Sequence, residues 1–569
     1  MLKFGIFIYS LTAASGAVAS PVFHTSNPTA IVNSNEVITG KLENNVETFK
    51  GIPFAEPPLG NLRFHRPVDY KGSYHGLLAD KFNPSCMQIN PKGAVGLAAQ
   101  GMALLDSLPE DSKGPLFDCL KNTLVESEDC LYLNIFRPAG TKAGDALPVM
   151  VWIHGGAFLF GSPATFPGNK YVEESINMDQ PIIMVSIPYR FGPYGYLHGP
   201  EIAAEGNTNV GLHDLRKALI WIQTHIADFG GDSDKVTAFG ESAGAMSIAA
   251  LMASYKGTNH HNGRPLFNAA IMQSGGPLAV DGVDARAAAT SYNRIVELAG
   301  CSDAENTLAC LRSLPAEDIN RAHNSYSAGE AFGILPQFLG FAPRPDGDIL
   351  TSDPLSQVQD YNVQNIPVIV GNQEDEGTIL AGLWYNVYTE PQFRESLYQV
   401  FPNASQTTIN QLAEYYPRDW AQGSPFRTGH RNAMTPQFKR YSALLTDVIF
   451  QAPRRLALGA AWSRNRCWNY ISTHFHNKLP IFGTFHGNEL LFQFFVDSGP
   501  YLAYRRYFVS FANHFDPNVG TNLTYWDQYT KENRETMEIK YREFEMQREG
   551  DRFREEQIAF LNTNREIRF

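Results

Sequence analysis

The chain has 569 residues, of which 43% are hydrophobic and 18% are charged. A chain this long and this apolar can bury a sizeable core, which excludes an intrinsically disordered protein. The 46 lysines and arginines and the 58 aspartates and glutamates give a net charge of −12, which argues against binding to the phosphate backbone of a nucleic acid.

The amino terminus has the pattern of a secretory signal peptide. Lys3 precedes an apolar stretch over residues 4–11, and small residues follow it. We therefore expect residues 1–19 to be a signal peptide, cleaved after Ala19 or Ser20, and the mature protein to be secreted and extracellular. No transmembrane anchor is expected, because the apolar run is shorter than the ~20 residues that span a bilayer.

Residues 20–569 are predicted to form one domain, since no repeat or low-complexity linker divides them. Short apolar runs rich in β-branched residues recur at 149–153, 182–187, 236–239 and 367–370. They are typical of strands buried in a parallel sheet. Residues 212–229 carry apolar side chains at helical spacing, and alternating strands and helices predict an α/β fold with crossover connections.

A glycine-rich loop follows the first of these strands. Residues 154–158 read His-Gly-Gly-Ala-Phe. In a serine hydrolase, such a loop supplies backbone N–H groups that stabilise a developing oxyanion. A plain Gly-Gly turn is the alternative, and a nucleophile elbow elsewhere in the chain would disfavour it.

The third strand leads into the pattern of a nucleophile elbow. Residues 240–244 read Gly-Glu-Ser-Ala-Gly, and a predicted helix over 245–253 follows. Glycines on both sides let the strand and the helix approach while the hydroxyl of Ser242 points out of the sheet. Ser242 is the predicted nucleophile, and the N–H of Ala243 is a predicted oxyanion donor. An ordinary glycine-rich turn is the alternative.

A serine nucleophile needs a base, and the base needs a carboxylate to hold its tautomer. In α/β folds that carry a nucleophile elbow, the order of the three residues along the chain is serine, acid, histidine. The strand at 367–370 leads to three consecutive carboxylates, Glu374, Asp375 and Glu376. The residues alone leave the choice among the three open.

The base must lie later in the chain. Five histidines are candidates: His430, His474, His476, His486 and His514. His486 is favoured because it lies in a glycine-flanked loop, where active-site residues are often found. The other four remain open on this argument.

Sequons begin at Asn403 and Asn522 and are compatible with glycosylation of a secreted protein. The six cysteines are disulfide candidates rather than metal ligands, and none forms a Cys-x-x-Cys pair.

From about residue 527 onward, 20 of 43 residues are charged. We expect this region to be a solvated terminal helix and tail.

Several motifs resemble the type-B carboxylesterase and lipase family of α/β-hydrolases. They are residues 49–55 (FKGIPFA), 128–134 (EDCLYLN), the elbow and residues 273–275 (QSG). Residues 82–88, 371–378 and 483–490 are similar to the secreted fungal lipases of the Geotrichum type. The resemblance covers nearly all of the mature chain and implies the α/β-hydrolase fold, with a large, mostly parallel central sheet flanked by helices.

The resemblance also implies roles for individual residues. The triad would be Ser242, Glu376 and His486, acting without a metal or a cofactor. The oxyanion donors would be the N–H groups of Ala157 and Ala243, with Gly156 close by.

Two disulfides and two structural ion pairs follow from the same resemblance. They are Cys86 with Cys130, Cys301 with Cys310, Arg63 with Glu128, and Arg190 with Asp214. For Cys119 and Cys467 the resemblance supplies no partner, which leaves open two buried thiols or a third bridge.

The loop closed by Cys86 and Cys130 contains an apolar segment over 94–105. Leu97 and Leu104 share one face of a possible amphipathic helix. The resemblance implies that this loop is a lid over the active site. A buried structural helix is the alternative.

The function implied is a secreted triacylglycerol lipase that acts on lipid esters at an oil–water interface. The alternatives are a carboxylesterase acting on soluble esters and, more remotely, a non-catalytic binding protein on the same fold. All three triad residues are present, which disfavours the binding protein. The sequence makes no prediction of oligomeric state.

Overall fold

The computed structural model describes residues 27–89, 113–114, 119, 121, 123–329, 340–382, 387–497, 500–540, 544–547 and 550–568. The expected signal peptide at 1–19 and the expected lid helix at 94–105 lie outside these ranges. Within them, no helix combines the length and the apolar character that crossing a membrane would require.

The described strands, in chain order, are β1 (Thr29–Val32), β2 (Glu36–Thr39), β3 (Lys41–Glu43), β4 (Val46–Pro53), β5 (Leu77–Leu78), β6 (Ser85–Cys86), β7 (Glu126–Ser127), β8 (Tyr132–Pro138), β9 (Leu147–Ile153), β10 (Ile183–Ile187), β11 (Gly231–Glu241), β12 (His260–His261), β13 (Arg264–Pro265), β14 (Ala269–Gln273), β15 (Val368–Gln373), β16 (Cys467–Ser472), β17 (Thr536–Ile539) and β18 (Phe544–Gln547).

The α-helices are α1 (Asn169–Asn177), α2 (Gly192–Tyr196), α3 (Pro200–Ala204), α4 (Val210–His225), α5 (Ala243–Ala253), α6 (Arg286–Leu298), α7 (Thr307–Ser313), α8 (Ala316–Gly329), α9 (Pro354–Gln359), α10 (Gly377–Ala381), α11 (Glu390–Val400), α12 (Gln406–Tyr415), α13 (Phe438–Leu445), α14 (Ala452–Gly459), α15 (Asn488–Phe495), α16 (Pro500–His514) and α17 (Glu555–Thr563). A π-helical segment, Thr446–Gln451, joins α13 to α14.

Eleven strands form the central sheet, in the order β18-β17-β16-β15-β14-β11-β9-β10-β8-β4-β3. The neighbours from β17 to β10 pair in parallel, and the pairs toward both edges are antiparallel. The predicted α/β fold is confirmed, because the four predicted strands correspond to β9, β10, β11 and β15. The helix predicted at 212–229 corresponds to α4 and the 3-10 turn Ile226–Phe229.

The central strands are buried on both faces, which explains why their sequences are continuous apolar runs. In β9, Val151 and Ile153 join one hydrophobic cluster, while Met150 and Trp152 join the other. Successive side chains of a strand point to opposite faces, so each cluster covers one face of the sheet. This two-sided core holds the carboxyl ends of the parallel strands in fixed positions.

The prediction of a solvated helical tail from about residue 527 is wrong for much of that region. β17 pairs in parallel with β16, and both Met537 and Ile539 are buried. Part of the charge is neutralised within the fold, since Arg454 donates two hydrogen bonds to Asp551. Among the residues of this region that the structure describes, only the final part is helical, as α17, and it buries Ile558 against the hydrophobic core.

The two implied disulfides are present. Cys86 is bonded to Cys130 across a separation of 44 residues, and Cys301 to Cys310 across 9. Cys119 and Cys467 keep their thiols, and both side chains are buried. The first disulfide joins the two ends of the segment in which the lid was predicted.

Both implied ion pairs are also present. Arg63 donates to the two carboxylate oxygens of Glu128 at 2.5 and 2.6 Å. Arg190 donates to those of Asp214 at 2.8 and 2.7 Å, and Asp214 is completely buried. The Arg190–Asp214 pair ties the segment after β10 to α4.

The two sequon asparagines, Asn403 and Asn522, both lie on the surface. Their exposure permits glycosylation, which remains a prediction.

We expect Asp214→Ala to lower the free energy of unfolding by about 3–5 kcal/mol, because it leaves the guanidinium of Arg190 buried without its carboxylate. Urea-induced unfolding measures the change. The control is Asp234→Ala, which removes an exposed pair with Arg264 at 3.7 Å and should cost less than about 1 kcal/mol. Equal losses in the two variants would contradict a structural role for the buried pair.

Candidate active site

The candidate active site lies at the carboxyl ends of β9, β11 and β15. These strands are close together in the sheet order β15-β14-β11-β9. Because they are parallel, the loops that follow them leave from the same edge of the sheet. The glycine-rich loop, the elbow and the three carboxylates therefore meet at this edge.

The backbone of Ser242 forms a sharp turn between β11 and α5. Its φ and ψ angles are 55° and −125°, values that a residue with a side chain rarely adopts. A Cβ atom on Gly244 would lie 2.1 Å from the carbonyl oxygen of Ile153, so only glycine fits there. The N–H of Ser242 donates to the carbonyl oxygen of Gln273 at 2.9 Å, which fixes the turn against β14.

The glycine-rich loop lies beside Ser242. A Cβ atom on Gly155 would lie 2.9 Å from the Cβ of Ser242. Gly156 and Ala157 both have positive φ angles, 115° and 55°. Ala243 is the first residue of α5, where a backbone N–H has no acceptor within the helix. This geometry suits an oxyanion held close to the hydroxyl of Ser242.

Glu376 is the carboxylate that contacts His486. Its Oε2 lies 2.6 Å from Nδ1 of the imidazole. Its Oε1 accepts hydrogen bonds from the N–H of Gln373 at 2.8 Å and from Nδ2 of Asn372 at 3.2 Å. The side chain is completely buried, so these donors fix both oxygens.

Asp375 turns away from the imidazole and ties two other loops together. Its Oδ1 accepts from the hydroxyl of Ser424 at 2.7 Å and from the N–H of Phe426 at 2.8 Å. Its Oδ2 accepts from the N–H of Thr484 at 3.0 Å, two residues before His486. Asp375 therefore positions the loop that carries the histidine.

Glu374 faces a different set of partners. It accepts from Nε of Arg427 at 2.9 Å, and its other oxygen lies 2.9 Å from Nδ1 of His476. His474 is buried, and that burial lowers its pKa to about 4. Of the five candidate histidines, all of which the structure describes, only His486 contacts Glu376.

Two buried carboxylates close to His486 were not predicted from the sequence. Oε1 of Glu241 lies 3.2 Å from Nε2 of His486 and has no hydrogen-bond partner among the described residues. Glu489 lies in the first turn of α15 and is also buried. The only signal in the sequence is position, since Glu241 precedes the serine and Glu489 follows the histidine by three residues.

These carboxylates change the acid–base properties of the histidine. Burial alone would lower the pKa of His486, but Glu241 and Glu376 outweigh it and raise the pKa to about 9. Burial raises the pKa of Glu241, and repulsion from Glu376 adds to that effect. Burial, Glu241 and Glu376 together raise the pKa of Glu489. The site therefore favours an imidazolium beside the carboxylates of Glu241 and Glu376, and a protonated carboxyl group on Glu489.

The hydroxyl of Ser242 and the imidazole of His486 share no hydrogen bond in the described part of the chain, where Nε2 faces Glu241 instead. Catalytic hydrogen bonds are often long in free enzymes and shorten when substrate binds. The described residues also contain no group of three histidine, cysteine, aspartate or glutamate side chains suited to a metal ion. The chemistry that this arrangement supports is nucleophilic attack by a serine oxygen.

We expect the imidazole of His486 to titrate well above its ordinary pKa of 6.5, near 9. NMR of labelled histidine measures this value, with His486→Asn identifying the resonance. Glu241→Gln should lower the pKa, because it removes one of the two carboxylates that stabilise the imidazolium. Glu374→Gln is the control and should leave it unchanged. A pKa at or below 6.5 in the unmodified protein would contradict this electrostatic picture.

Comparison with known proteins identifies the family of this chain. A model of the "Carboxylesterase family" matches residues 20–561. The chain is 52% identical over 542 residues to Lipase 2 of Geotrichum candidum, covering 95% of both chains. It is 36% identical to a secreted triacylglycerol lipase of Gibberella zeae, covering 92% of this chain and 88% of that protein. The crystal structure of Aspergillus niger EstA superimposes with a TM-score of 0.77 at 25% identity, covering 95% and 98%. The chain belongs to the carboxylesterase family.

Proposed function

We propose that this protein is a secreted triacylglycerol lipase with Ser242 as its nucleophile, His486 as its base and Glu376 as the acid that orients the base. The observation that carries the proposal is the 2.6 Å contact between Glu376 and Nδ1 of His486 at the sheet edge that holds the strained serine. The family membership and the names of the similar lipases support an ester substrate.

In the proposed reaction, Nε2 of His486 takes the proton of Ser242 as the serine oxygen attacks the ester carbonyl carbon. The N–H groups of Ala157 and Ala243 stabilise the resulting oxyanion. The intermediate collapses when His486 gives the proton to the departing alcohol, which leaves an acyl group on Ser242. Water, deprotonated by His486, then releases the fatty acid and restores the serine.

Glu241 explains why the imidazole of the free enzyme lies in an anionic environment that favours its protonated form. For the first step, Nε2 of His486 has to release its proton to solvent and exchange its contact with Glu241 for a hydrogen bond from the hydroxyl of Ser242. This exchange replaces a carboxylate neighbour with a neutral group, and the pKa of His486 falls toward that of a base at neutral pH. Substrate binding would thus activate the base.

Secretion and a lipid substrate are part of the same proposal. The two disulfides are consistent with an oxidising compartment. The similar protein of Gibberella zeae is named a secreted triacylglycerol lipase. We further propose that the loop closed by Cys86 and Cys130 is a lid whose apolar residues meet lipid when it opens.

Ser242→Ala should reduce ester hydrolysis by about 10⁶-fold, which is the order seen when a triad nucleophile is removed. Glu376→Gln and His486→Ala should also be severely impaired. Their matched controls are Glu374→Gln and His476→Ala, which change an acid and a histidine that contact each other instead of the candidate base. Hydrolysis of a soluble ester is the assay. Controls that lose as much activity as the triad variants would contradict the assignment.

The choice between lipase and soluble esterase is tested by rates measured across the solubility limit of the substrate. We expect activity to rise once emulsified triolein is present. Leu97→Ser with Leu104→Ser should lower that activity and spare a soluble short-chain ester. Leu124→Ser is the control, since Leu124 lies in the same disulfide loop and is 76% exposed. Equal losses on both substrates would reject the lid and indicate a soluble carboxylesterase.

A further inference from the structure

The glycine-rich loop, which carries the proposed oxyanion donor Ala157, is closed by its own backbone. The carbonyl oxygen of Gly156 accepts hydrogen bonds from the N–H groups of Leu159 at 2.9 Å and of Phe160 at 3.1 Å. Ala157 therefore lies inside a turn whose two ends are bonded to each other. Because the turn is closed, whatever holds residues 159–161 also determines the direction of the N–H of Ala157.

Gly161 returns to the beginning of the same loop. A Cβ atom on Gly161 would lie 2.4 Å from Nδ1 of His154 and 2.6 Å from the carbonyl oxygen of Gly155. Both distances are shorter than those that a side chain tolerates, so the backbone of Gly161 packs directly against these two residues. A displacement of Gly161 would therefore displace the residues that lead into Ala157.

A side chain from outside the loop holds Gly161. Oε1 of Gln88 accepts a hydrogen bond from the N–H of Gly161 at 2.9 Å. The next residue adds a second contact, since the N–H of Ile89 donates to the carbonyl oxygen of Leu159 at 3.2 Å. Gln88 is only 6% exposed, and a hydrogen bond in such a low-dielectric environment is stronger than in water. Residues 88 and 89 thus fix the end of the loop that β9 does not hold.

Gln88 is itself fixed by the two ends of the disulfide loop. Its Nε2 donates to the carbonyl oxygen of Thr123 at 3.1 Å, and its backbone N–H donates to Oε2 of Glu126 at 3.3 Å. Two residues earlier, Cys86 is bonded to Cys130, and β6 pairs in parallel with β7. These contacts hold Gln88 in place beside the glycine-rich loop.

The two side-chain contacts of Gln88 require a primary amide. The N–H of Gly161 needs an acceptor, whereas the carbonyl oxygen of Thr123 needs a donor, and one amide group supplies both. Methionine has a similar length but lacks a strong donor and a strong acceptor. Asparagine keeps the amide but is one methylene shorter, so it cannot reach both partners.

We propose that Gln88 is a positioning residue of the oxyanion hole, which holds the glycine-rich loop so that the N–H of Ala157 faces the oxygen on which charge develops. This role rests on the proposed function, because it requires that Ser242 attacks an ester. Gln88 acts through Gly161 and not on the substrate itself. Its effect therefore belongs to the transition state, in which the oxyanion forms, rather than to substrate binding.

The kinetics of Gln88→Met on a soluble ester test this role. We expect kcat per active site to fall by about tenfold or more with KM nearly unchanged, since removing an oxyanion donor outright costs about 10²–10³-fold in kcat. Titration with a nitrophenyl phosphonate counts the active sites, so a loss of folded protein does not lower this kcat.

Gln364→Met is the matched control. Gln364 is 7% exposed and donates from Nε2 to the carbonyl oxygen of Phe267 at 2.7 Å, so the variant also removes a buried amide. It precedes the amino end of β15, whereas the candidate site lies at the carboxyl end. Gln364→Met should therefore leave kcat and KM unchanged.

Inhibition by a trifluoromethyl ketone with an alkyl chain separates positioning from a merely structural role. The oxygen of Ser242 bonds to the ketone carbon, the serine proton passes to His486, and the ketone oxygen becomes an oxyanion. In Gln88→Met the inhibition constant should rise by the same factor as kcat falls, because both depend on the oxyanion donors. Gln88→Asn should change both values in the same direction by a smaller factor.

Hydrogen–deuterium exchange of residues 154–162 reports the contact without any hydrolysis. Exchange should be faster in Gln88→Met, which frees the N–H of Gly161, and unchanged in Gln364→Met. The positioning role would be overturned by unchanged exchange, by faster exchange with an unchanged kcat, or by a lower kcat with an unchanged inhibition constant. Equal effects in the control would overturn it as well. If Gln88→Met fails to fold, Gln88→Asn decides by the same criteria.

Failure of the proposed function would look different. Gln88→Met would still exchange faster over residues 154–162, but the unmodified protein would hydrolyse no ester and form no adduct with the ketone. That result would support the contact between Gln88 and Gly161 and overturn its role in an oxyanion hole.

Discussion

The left-handed backbone of Ser242 is the constraint on which the candidate site depends. A non-glycine residue holds such a conformation only where the surrounding structure enforces it. Here the close approach of β9, the elbow and α5 does so, since even a Cβ atom on Gly244 would collide with Ile153. The same approach brings the glycine-rich loop against the serine. The packing of the central sheet against α5 thus fixes the position of the Ser242 hydroxyl group.

Local pattern was enough to predict the parts of the site that strand–turn–helix geometry determines. The elbow, its helix and the glycine-rich loop follow from residue types at fixed spacing. The residues alone could not select Glu376 from three consecutive carboxylates, because the direction of a side chain on a turn is set by its tertiary partners. The structure separates them by those partners, which are an arginine for Glu374, two neighbouring loops for Asp375 and the imidazole for Glu376. The resemblance to the carboxylesterase and lipase family had already implied Glu376 as the triad acid.

Composition gave a wrong prediction for the region after residue 527, because charged side chains there are paired inside the fold. The region after residue 527 is rich in charge, yet β17 joins the central sheet and Asp551 is buried against two arginines of α14. Counting charges does not reveal such partners, whereas the alternation of Met537 and Ile539 does have the period of a strand. Glu241 was missed for a related reason. Glu241 lies inside the elbow motif, so the sequence analysis treated it as a turn residue. Its contact with His486 depends on the tertiary structure.

We propose that Ser242 reacts because Glu376 and His486 activate it. This proposal can be tested by labelling with an alkyl phosphonate ester that carries a nitrophenolate leaving group, followed by peptide mass spectrometry. We expect one phosphonyl group per chain, bonded to Ser242, and a rate that falls steeply in His486→Ala and in Glu376→Gln but not in Glu374→Gln. A label on another serine, or labelling of Ser242 that is equally fast without His486, would contradict it.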